Sequence, residues 1–397
     1  MAIHLAVFFG GKSVEHEVSI ISALQAMEAL DRTNYTIIPL YITKDNELYY
    51  GEHLQDIEEY RDIPALLKKS TQVYLRTTGS KTYVEPCARG VFSGNKPLAL
   101  VDVALPIVHG TNVEDGALQG YLTTLNLPYA GCDVLASAVC MDKYVSKLLL
   151  KEAGFPVLDC LRFTLADYKT PQEIISRVES RFAYPVIVKP INTGSSIGVT
   201  VASDADGLDA ALDTAFSFAE KIIVEPAIQQ LQEINCSVVG DCEEAVASEC
   251  EEPLGSDEIL SYTDKYVGGS KGEAGKGMAS LKRRIPADIP QATKDRIQEI
   301  ATGAFQFLGC SGVARIDFLI DRGTKEVWLN ELNTIPGSLS FYLWEPVGLS
   351  YAKLLDRLVE LALKRQRREA GILHSFETNI LSAAGLPGSK SLKGGKR

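Results

Sequence analysis

The feature that most constrains the fold is a short apolar run near the N-terminus that ends in two glycines. Residues 3–9 read IHLAVFF and are followed by Gly10 and Gly11. A continuous apolar run of this length, closed by glycines, is typical of a strand buried on both faces of a parallel sheet. An amphipathic pattern from about Glu17 predicts that a helix follows. The chain therefore begins as the strand–loop–helix unit of an α/β fold.

Strand-like runs at 36–42 and 101–108 extend this unit to about residue 142. We expect a parallel sheet flanked by helices over 1–142, with 45–95 as a polar, irregular insertion on its surface. A helical pattern then runs from Ala136 to Gly154, where the glycine suits a helix C-terminus.

The second half of the chain predicts smaller α+β units. Helices are expected near 291–308 and 350–365, and strands at 184–189, 222–226, 234–239, 244–249, 312–320 and 326–333. Five glycines and four lysines in 261–284 predict a long loop that acts as a lid. Our division is an N-terminal domain, a central subdomain (143–232), a C-terminal subdomain (233–366) and a basic, disordered tail (367–397).

Charge and composition exclude several classes of protein. The net charge is −11 although the last 34 residues hold eight basic and two acidic side chains, so the body is acidic and disfavours nucleic acid as a partner. No apolar run approaches the roughly 18 residues of a membrane helix, and no secretory leader is present, which predicts a cytoplasmic protein with no membrane partner. Eight scattered cysteines without a Cys-x-x-Cys pair indicate free thiols.

Acidic side chains on two adjacent strands predict a metal site. The segment Asp321–Lys325 suits a hairpin turn between strands 312–320 and 326–333. With Ile320 opposite Glu326, Asp317 lies opposite Leu329, and Glu331 and Asn333 share its face. These oxygen donors suit Mg²⁺, whereas the alternative is a hairpin with a polar, solvated face.

A glycine-rich turn after an apolar strand predicts phosphate binding. Lys189 follows the strand directly, and the segment 193–198 (TGSSIG) offers unobstructed backbone amides for phosphate oxygens. A flexible surface loop explains the pattern equally well. The segment is neither a P-loop nor a dinucleotide-binding fingerprint.

Two further polar residues follow the first-sheet strands, where open parallel sheets bind ligands. Glu15 lies between the first strand and its helix and can hold an ammonium group or cap the helix. His109 follows strand 101–108 and can line the same crevice or serve a structural role.

These segments together resemble the D-alanine:D-alanine ligases over about residues 3–365. The matching motifs, in the order of the family, are GGKSVEHEVS at 10–19, HGTNVEDG at 109–116, MDK at 141–143, KP…GSSxG at 189–198, DKY at 264–266, ARID at 314–317 and NELNTIPG at 330–337. The resemblance implies a three-domain ATP-grasp fold, usually homodimeric. It implies that ATP phosphorylates a first D-alanine and that the amine of a second attacks the acyl phosphate, in peptidoglycan precursor synthesis.

The resemblance also implies roles for individual residues. Glu15 would hold the ammonium of the first amino acid, and Arg315 would stabilise the oxyanion of the tetrahedral intermediate. Lys143, Lys189 and Lys265 would bind the ATP phosphates beside Ser195 and Ser196, while Ser195 and Tyr266 would tie the lid to Glu15. The adenine would meet Glu225, Pro226, Ala227 and Ile228, and the ribose Glu233, although the spacing to Glu233 is one residue longer than usual. Two Mg²⁺ ions, or Mn²⁺, would bind Asp317, Glu331 and Asn333.

The second amino acid is less constrained. His109, Gly337, Tyr342 and Leu343 are expected to line the substrate pocket, but the family pattern has a serine where this chain has Tyr342. D-serine is therefore an alternative second substrate. The Lys265–Tyr266 pair is typical of ligases that use an amine rather than D-lactate.

Two other readings stay open at this point. Another ATP-grasp carboxylate–amine ligase would share the nucleotide and metal residues, but not Glu15 and His109. A nucleotide-binding module without activity is disfavoured because every lysine and metal ligand of the family pattern is present.

Overall fold

The computed structural model of the protein describes residues 2–88, 96–194, 196–254 and 283–373. Within these ranges the chain forms three β-sheets and nine α-helices. The α/β fold class predicted from the sequence is confirmed.

Seven strands form the first sheet: β1 (Ile3–Gly10), β2 (Tyr35–Ile42), β3 (Leu48–Tyr50), β4 (Thr71–Thr78), β5 (Lys81–Pro86), β6 (Ala99–Val101) and β7 (Val103–Val108). Their order across the sheet is β6-β5-β4-β3-β2-β1-β7. The central strand β1 pairs in parallel with β2 and β7, as predicted. The other neighbours are antiparallel, so the sheet is mixed rather than wholly parallel.

The predicted irregular insertion at 45–95 is wrong for the residues that the structure describes. Strands β3, β4 and β5 come from this segment and extend the first sheet on one side. In β4, Val73 and Leu75 are buried while Tyr74 and Arg76 point outward, which is the alternation of a half-buried strand. Polar neighbours obscured this short alternation in the sequence. Residues 89–95 lie outside the described ranges.

The helices are α1 (His16–Ala29), α2 (Ile63–Lys69), α3 (Ala117–Thr124), α4 (Val134–Met141), α5 (Lys143–Glu152), α6 (Pro171–Glu179), α7 (Ala205–Phe216), α8 (Gln291–Phe307) and α9 (Tyr351–Glu369). The single helix predicted over 136–154 is instead two helices, α4 and α5. The Asp142 carboxylate accepts the backbone N–H groups of Tyr144 and Val145 and so starts a new helix. Gly154 follows α5 with a φ of 85°, which confirms the predicted helix end.

Nine further strands form two smaller antiparallel sheets. The second sheet contains β8 (Leu161–Thr164), β9 (Val186–Pro190), β10 (Thr200–Ala202) and β11 (Lys221–Pro226), in the order β10-β9-β11-β8. The third contains β12 (Leu231–Gly240), β13 (Ala245–Pro253), β14 (Arg283–Arg284), β15 (Gly312–Asp321) and β16 (Val327–Asn333), in the order β14-β13-β12-β15-β16. Apart from β14, the predicted lid at 261–284 lies outside the described residues.

The C-terminal helix α9 belongs to the core of the first sheet. Its buried leucines Leu354, Leu355 and Leu358 join the same hydrophobic cluster as β1, β2 and β7. The helix ends at Glu369, four residues later than predicted, and residues 374–397 of the predicted tail lie outside the described ranges.

In the part of the chain that the structure describes, no helix combines the length and apolarity needed to cross a bilayer. All eight cysteines are free, as predicted, and five of them are buried.

Candidate active site

One face of the third sheet carries polar side chains at matching positions on four neighbouring strands. Asn235 on β12 lies opposite Glu251 on β13 and opposite Asp317 on β15. Asp317 in turn lies opposite Glu331 on β16. Directly paired residues of neighbouring strands project to the same face, so the sheet brings the two predicted metal-binding carboxylates together.

The pairing of β15 with β16 differs from the predicted register. The prediction placed Asp317 opposite Leu329, but Leu329 lies opposite Phe318 and Glu331 lies directly opposite Asp317. A β-bulge at this point leaves Asn330 as an extra residue on β16. The turn is also one residue longer than assumed, since Ile320 pairs with Val327. Alternation within one strand reveals neither change, because both depend on the partner strand.

The Asp317 carboxylate is held on both of its oxygens. Arg315 donates from Nε to Oδ1 and from Nη2 to Oδ2, each at 2.7 Å, and Asn333 donates from Nδ2 to Oδ2 at 3.0 Å. Among the described residues, no group of three or more His, Cys, Asp and Glu side chains could hold a metal ion. The predicted set of Asp317, Glu331 and Asn333 has two carboxylates and one amide, and these oxygen donors fit Mg²⁺ or Mn²⁺.

Lys143, the first residue of α5, reaches both the glycine-rich turn and the acidic face. Its Nζ donates to the backbone oxygen of Thr193 at 2.7 Å and lies 3.3 Å from Oε2 of Glu331. The turn of 193–198 and the third sheet therefore meet at this ammonium group.

Glu15 lies between two glycines that leave room for its carboxylate. A Cβ atom on Gly194 would approach Oε2 of Glu15 to 2.5 Å, and one on Gly110 would approach it to 3.1 Å. Glycine at these two positions therefore leaves free the space that the Glu15 carboxylate occupies. Gly194 directly follows Thr193. The Glu15 carboxylate and the Lys143 ammonium therefore lie beside neighbouring residues of the turn.

Lys189 and Glu225 form a buried charge cluster with a third residue, Lys147, that was not predicted. The Glu225 carboxylate is fully buried, with Oε1 2.8 Å from Nζ of Lys147 and Oε2 2.7 Å from Nζ of Lys189. Burial acts to raise the pKa of Glu225, but the two ammonium groups outweigh it and the pKa is lowered. Lys189 also donates to Oδ1 of the bulged Asn330 at 3.0 Å, and this links the second sheet to the third.

His109 is buried in a chain of hydrogen bonds that fixes its tautomer. Its Nδ1–H donates to the backbone oxygen of Ile335 at 2.8 Å, so Nε2 accepts from the Ser22 hydroxyl at 3.2 Å. The Ser22 oxygen in turn accepts the backbone N–H of Ser338. Burial lowers the pKa of His109 to about 4, and the ring is therefore neutral.

Glu114 was missed in the sequence although it lies within the motif at 109–116. Its carboxylate accepts the backbone N–H groups of Gly110 and Ile335 at 2.9 Å and the hydroxyl of Thr334 at 3.3 Å. It thus joins the loop after β7 to the loop after β16. Burial raises the pKa of Glu114 to about 7, and the charge of Glu15 adds to this effect.

Tyr342 lies in the segment Gly337–Leu343, which is not a regular helix because residues 338–340 have positive φ angles, and it points at β13 and β14. Its hydroxyl donates to Oε1 of Glu251 at 3.2 Å, and the Arg283 guanidinium lies 3.8 Å above its ring. Burial raises the pKa of Tyr342 to about 12. The side chain of Leu343 is buried in the core of the first sheet.

The other predicted site residues are partly exposed or lie outside the described ranges. Ala227 donates its N–H to the backbone oxygen of Pro185, while Pro226, Ile228, Glu233 and Ser196 are partly exposed. Ser195, Lys265 and Tyr266 lie outside the residues that the structure describes.

Two family models match the chain along most of its length. The D-ala D-ala ligase N-terminus model covers residues 4–132, and the D-ala D-ala ligase C-terminus model covers residues 149–360. The D-alanine--D-alanine ligase of Thermosipho melanesiensis is 36% identical over 381 residues, which are 96% of this chain and 98% of that protein.

Solved structures of ligases are also similar to this chain. The D-alanine-D-alanine ligase from Coxiella burnetii is similar with a TM-score of 0.76 and 29% identity, over 93% of this chain and 96% of that one. The VanG D-Ala:D-Ser ligase from Enterococcus faecalis is similar with a TM-score of 0.74 and 31% identity, over 91% of this chain and 100% of that one. The family models and the full-length relative carry the assignment: this chain is a member of the D-alanine–D-alanine ligase family.

Proposed function

We propose that the protein joins two D-alanine molecules to D-alanyl-D-alanine with the hydrolysis of ATP to ADP and phosphate, in the cytoplasm and for peptidoglycan precursor synthesis. The observation that carries the proposal is the position of Glu15. Its carboxylate lies against Gly194, next to the residue that binds Lys143. A zwitterionic amino acid held by its ammonium at Glu15 has its carboxylate close to groups that suit nucleotide phosphates.

The reaction has to convert a carboxylate, which is a poor acyl donor, into a reactive one. An oxygen of the first D-alanine attacks the γ-phosphorus of ATP and ADP leaves, which forms an acyl phosphate. The amine of the second D-alanine then attacks the carbonyl carbon, loses a proton, and expels phosphate. Phosphoryl transfer of this kind depends on positioning and charge neutralisation.

In this proposal, lysines and serines of the candidate active site position the ATP phosphates. Lys143, Lys189 and Lys265 bind the phosphates beside Ser195 and Ser196, and Ser195 and Tyr266 tie the lid to Glu15. The adenine meets the segment 225–228 and the ribose meets Glu233. Asp317, Glu331 and Asn333 have the oxygen donors to hold two Mg²⁺ or Mn²⁺ ions, which would neutralise charge on the phosphates when bound.

Arg315 is proposed to stabilise the oxyanion that forms when the second amine attacks. Its guanidinium is fixed by the bidentate contact with Asp317, and a fixed cation stabilises developing charge without reorganising. His109 contributes indirectly, because its ring holds the backbone before Gly337 in place.

D-serine is the alternative second substrate. Tyr342 replaces the family serine; its hydroxyl donates to Glu251, and its ring is stacked beneath Arg283. The 31% identity to a D-Ala:D-Ser ligase is in keeping with this alternative. The expected pocket residues Gly337, Tyr342 and Leu343 are proposed to border the second substrate.

The test is a product assay with ATP, Mg²⁺, D-alanine and D-serine at equal concentrations, read by mass spectrometry. We expect D-alanyl-D-alanine as the main product and ADP release that requires D-alanine. L-alanine in place of D-alanine is the control for stereochemistry. A mixed dipeptide as main product would reassign the second substrate, and ADP release without any dipeptide would overturn the ligase proposal.

Two expectations from the family resemblance are proposed alongside. One is the division into domains at 1–142, 143–232 and 233–366. The other is a homodimer, which sedimentation velocity of the full chain would measure.

A further inference from the structure

Lys147 is a buried cation for which the proposed reaction has no role so far. It lies on α5, is 2% exposed, and has Nζ 2.8 Å from Oε1 of Glu225. The contact is an ion pair rather than an aligned hydrogen bond, because Nζ of Lys147 and Oε1 of Glu225 have no hydrogen-bond partner among the described residues. A lysine is rarely buried unless its charge is paired, and here the partner is Glu225.

The same carboxylate serves a second buried cation. Oε2 of Glu225 lies 2.7 Å from Nζ of Lys189, which is 7% exposed. Glu225 and Lys189 are diagonal neighbours on β11 and β9, so one face of the second sheet presents both. Within the described ranges, no other carboxylate forms an ion pair with Lys147 or Lys189. One negative and two positive charges leave the cluster with one net positive charge.

Helix α5 carries both Lys147 and Lys143. Residues four apart lie on the same face of a helix, so Lys143 and Lys147 project side by side. Lys143 faces the glycine-rich turn and Glu331, whereas Lys147 faces Glu225. Lys189 completes the link to the third sheet through Asn330.

We propose that Lys147 is a positioning residue of the nucleotide site: it shares the Glu225 carboxylate with Lys189, so that the three side chains keep one net positive charge for an ATP phosphate. This inference rests on the proposed function. Without Lys147, Glu225 pairs with Lys189 alone, and the cluster loses its net positive charge. An anion then gains less by binding there.

The test compares Lys147→Met with Lys151→Met. Both variants remove an ammonium from α5, but Lys151 is exposed and pairs with Asp159 at the far end of the helix. Titration calorimetry with ATP and Mg²⁺, without amino acid, measures the affinity for the nucleotide. We expect Lys147→Met to weaken ATP binding about tenfold, the effect of one well-placed charge. The KM for ATP rises by a similar factor, the KM for D-alanine is unchanged, and Lys151→Met matches the wild type.

A double variant separates the charge effect from a packing effect. Lys147→Met with Glu225→Gln removes one positive and one negative charge and returns the cluster to one net positive charge. We expect it to bind ATP more tightly than Lys147→Met alone. A loss of packing would not be rescued by a second substitution in the same cluster.

The outcomes distinguish the two proposals. Equal ATP affinity in Lys147→Met and the wild type, or a double variant weaker than Lys147→Met, would overturn the role of Lys147 while dipeptide formation by the wild type still supports the ligase. A wild type that binds ATP but forms no dipeptide overturns the ligase and leaves the binding comparison intact. A wild type that does not bind ATP overturns both.

Discussion

At the scale of single residues, the candidate active site holds ionisable groups whose charge is set by their neighbours. Asp317 receives donors from Arg315 and Asn333, and Glu225 lies between two ammonium groups. Glu114 and His109 have shifted pKa values because they are buried, and each contacts the loop that follows β16. These side chains are where substitution should have the clearest consequences.

The first prediction concerns Glu331→Gln, which removes one charge from the proposed metal site. We expect turnover to fall by about a hundredfold or more, since a charged ligand that acts on the transition state is lost. Its side chain is partly exposed and no core packing is removed, so the free energy of unfolding should change little. ADP release at saturating ATP and D-alanine measures turnover, and urea unfolding measures stability.

Glu326→Gln is the matched control, because Glu326 lies exposed at the other end of the same hairpin. It should leave turnover as in the wild type. If Glu331→Gln also retains full turnover, the cation site is elsewhere.

The second prediction concerns the pH dependence of stability. The pKa of Glu114 is raised from 4.5 to about 7 in the folded protein. Between these values the unfolded chain releases the proton and the folded chain keeps it, so stability falls as pH rises through this window. The loss from this group is at most about 3 kcal/mol.

Urea unfolding of the wild type and Glu114→Gln between pH 4.5 and 7 measures this contribution. The variant loses one hydrogen bond to a backbone N–H and starts less stable, but the deficit should shrink as pH rises. Glu345→Gln changes an exposed position and should leave the pH dependence of the free energy of unfolding as in the wild type. A constant difference between wild type and Glu114→Gln would show that the proton is not retained.

His109 acts in the opposite direction in an overlapping window. Its pKa is lowered to about 4 from 6.5, so the folded protein keeps it neutral while the unfolded chain gains a proton as pH falls. The stability contributed by neutral His109 is lost as pH falls from 6.5 towards 4. The free energy of unfolding of the wild type therefore falls less steeply with pH than it would from Glu114 alone.

At the scale of elements, short irregular segments position the site. The bulge in β16 turns Asn330 towards Lys189 and sets Glu331 opposite Asp317. The break at Asp142 starts α5 where Lys143 can meet the glycine-rich turn. Regular strands and helices fix the positions of these segments, but the bulge and the helix break set the directions of the side chains.

The third prediction concerns the glycine-rich turn. Gly194→Ala places a methyl group 2.5 Å from Oε2 of Glu15, and the flexible carboxylate rather than the backbone must move. We expect little change in stability but a fall of about tenfold or more in kcat/KM for D-alanine, because the ammonium-binding group is displaced. Steady-state kinetics with varied D-alanine measures the effect.

Gly120→Ala is its control, since Gly120 lies in α3 and a Cβ atom there meets only Val134, at 4.0 Å. It should leave kcat/KM unchanged. A Gly194→Ala protein with wild-type kinetics would mean that Glu15 does not bind the first substrate.

At the scale of the whole molecule, the first strand and the last described helix belong to the same hydrophobic core. Helix α9 packs on the first sheet, and Leu358 is 2% exposed within that core. The loop after β7 is tied to the loop after β16 in the same way, because Glu114 accepts the backbone N–H of Ile335.

The fourth prediction separates α9 from the residues that follow it. Ending the chain after Ala370 should change the free energy of unfolding by less than about 0.5 kcal/mol, because the buried residues of α9 are retained. Leu358→Ala should cost about 2–5 kcal/mol, since it opens a cavity in the core. Thermal and urea unfolding measure both, and loss of folded protein after the truncation would contradict the prediction.

The sequence alone located several of the elements and identified which residue types bear the chemistry. Continuous apolar runs predicted the ends of β1, β2, β9 and β11 to within two residues. A strand that is buried on both faces requires such a continuous apolar stretch. Motif order then indicated Glu15, Lys143, Lys189 and the acidic hairpin. The strands of 45–88 were missed since their apolar residues alternate over only a few positions.

Tertiary structure alone decided what those residues contact. The register of β15 with β16, the bulge at Asn330 and the pairing of Lys147 with Glu225 each depend on atoms that are distant in the chain. Glu114 carries no signal of its own in the sequence, because its shifted pKa arises from burial between two loops. Local sequence fixes local conformation, whereas charge state and geometry at the site come from neighbours that only the folded chain brings together.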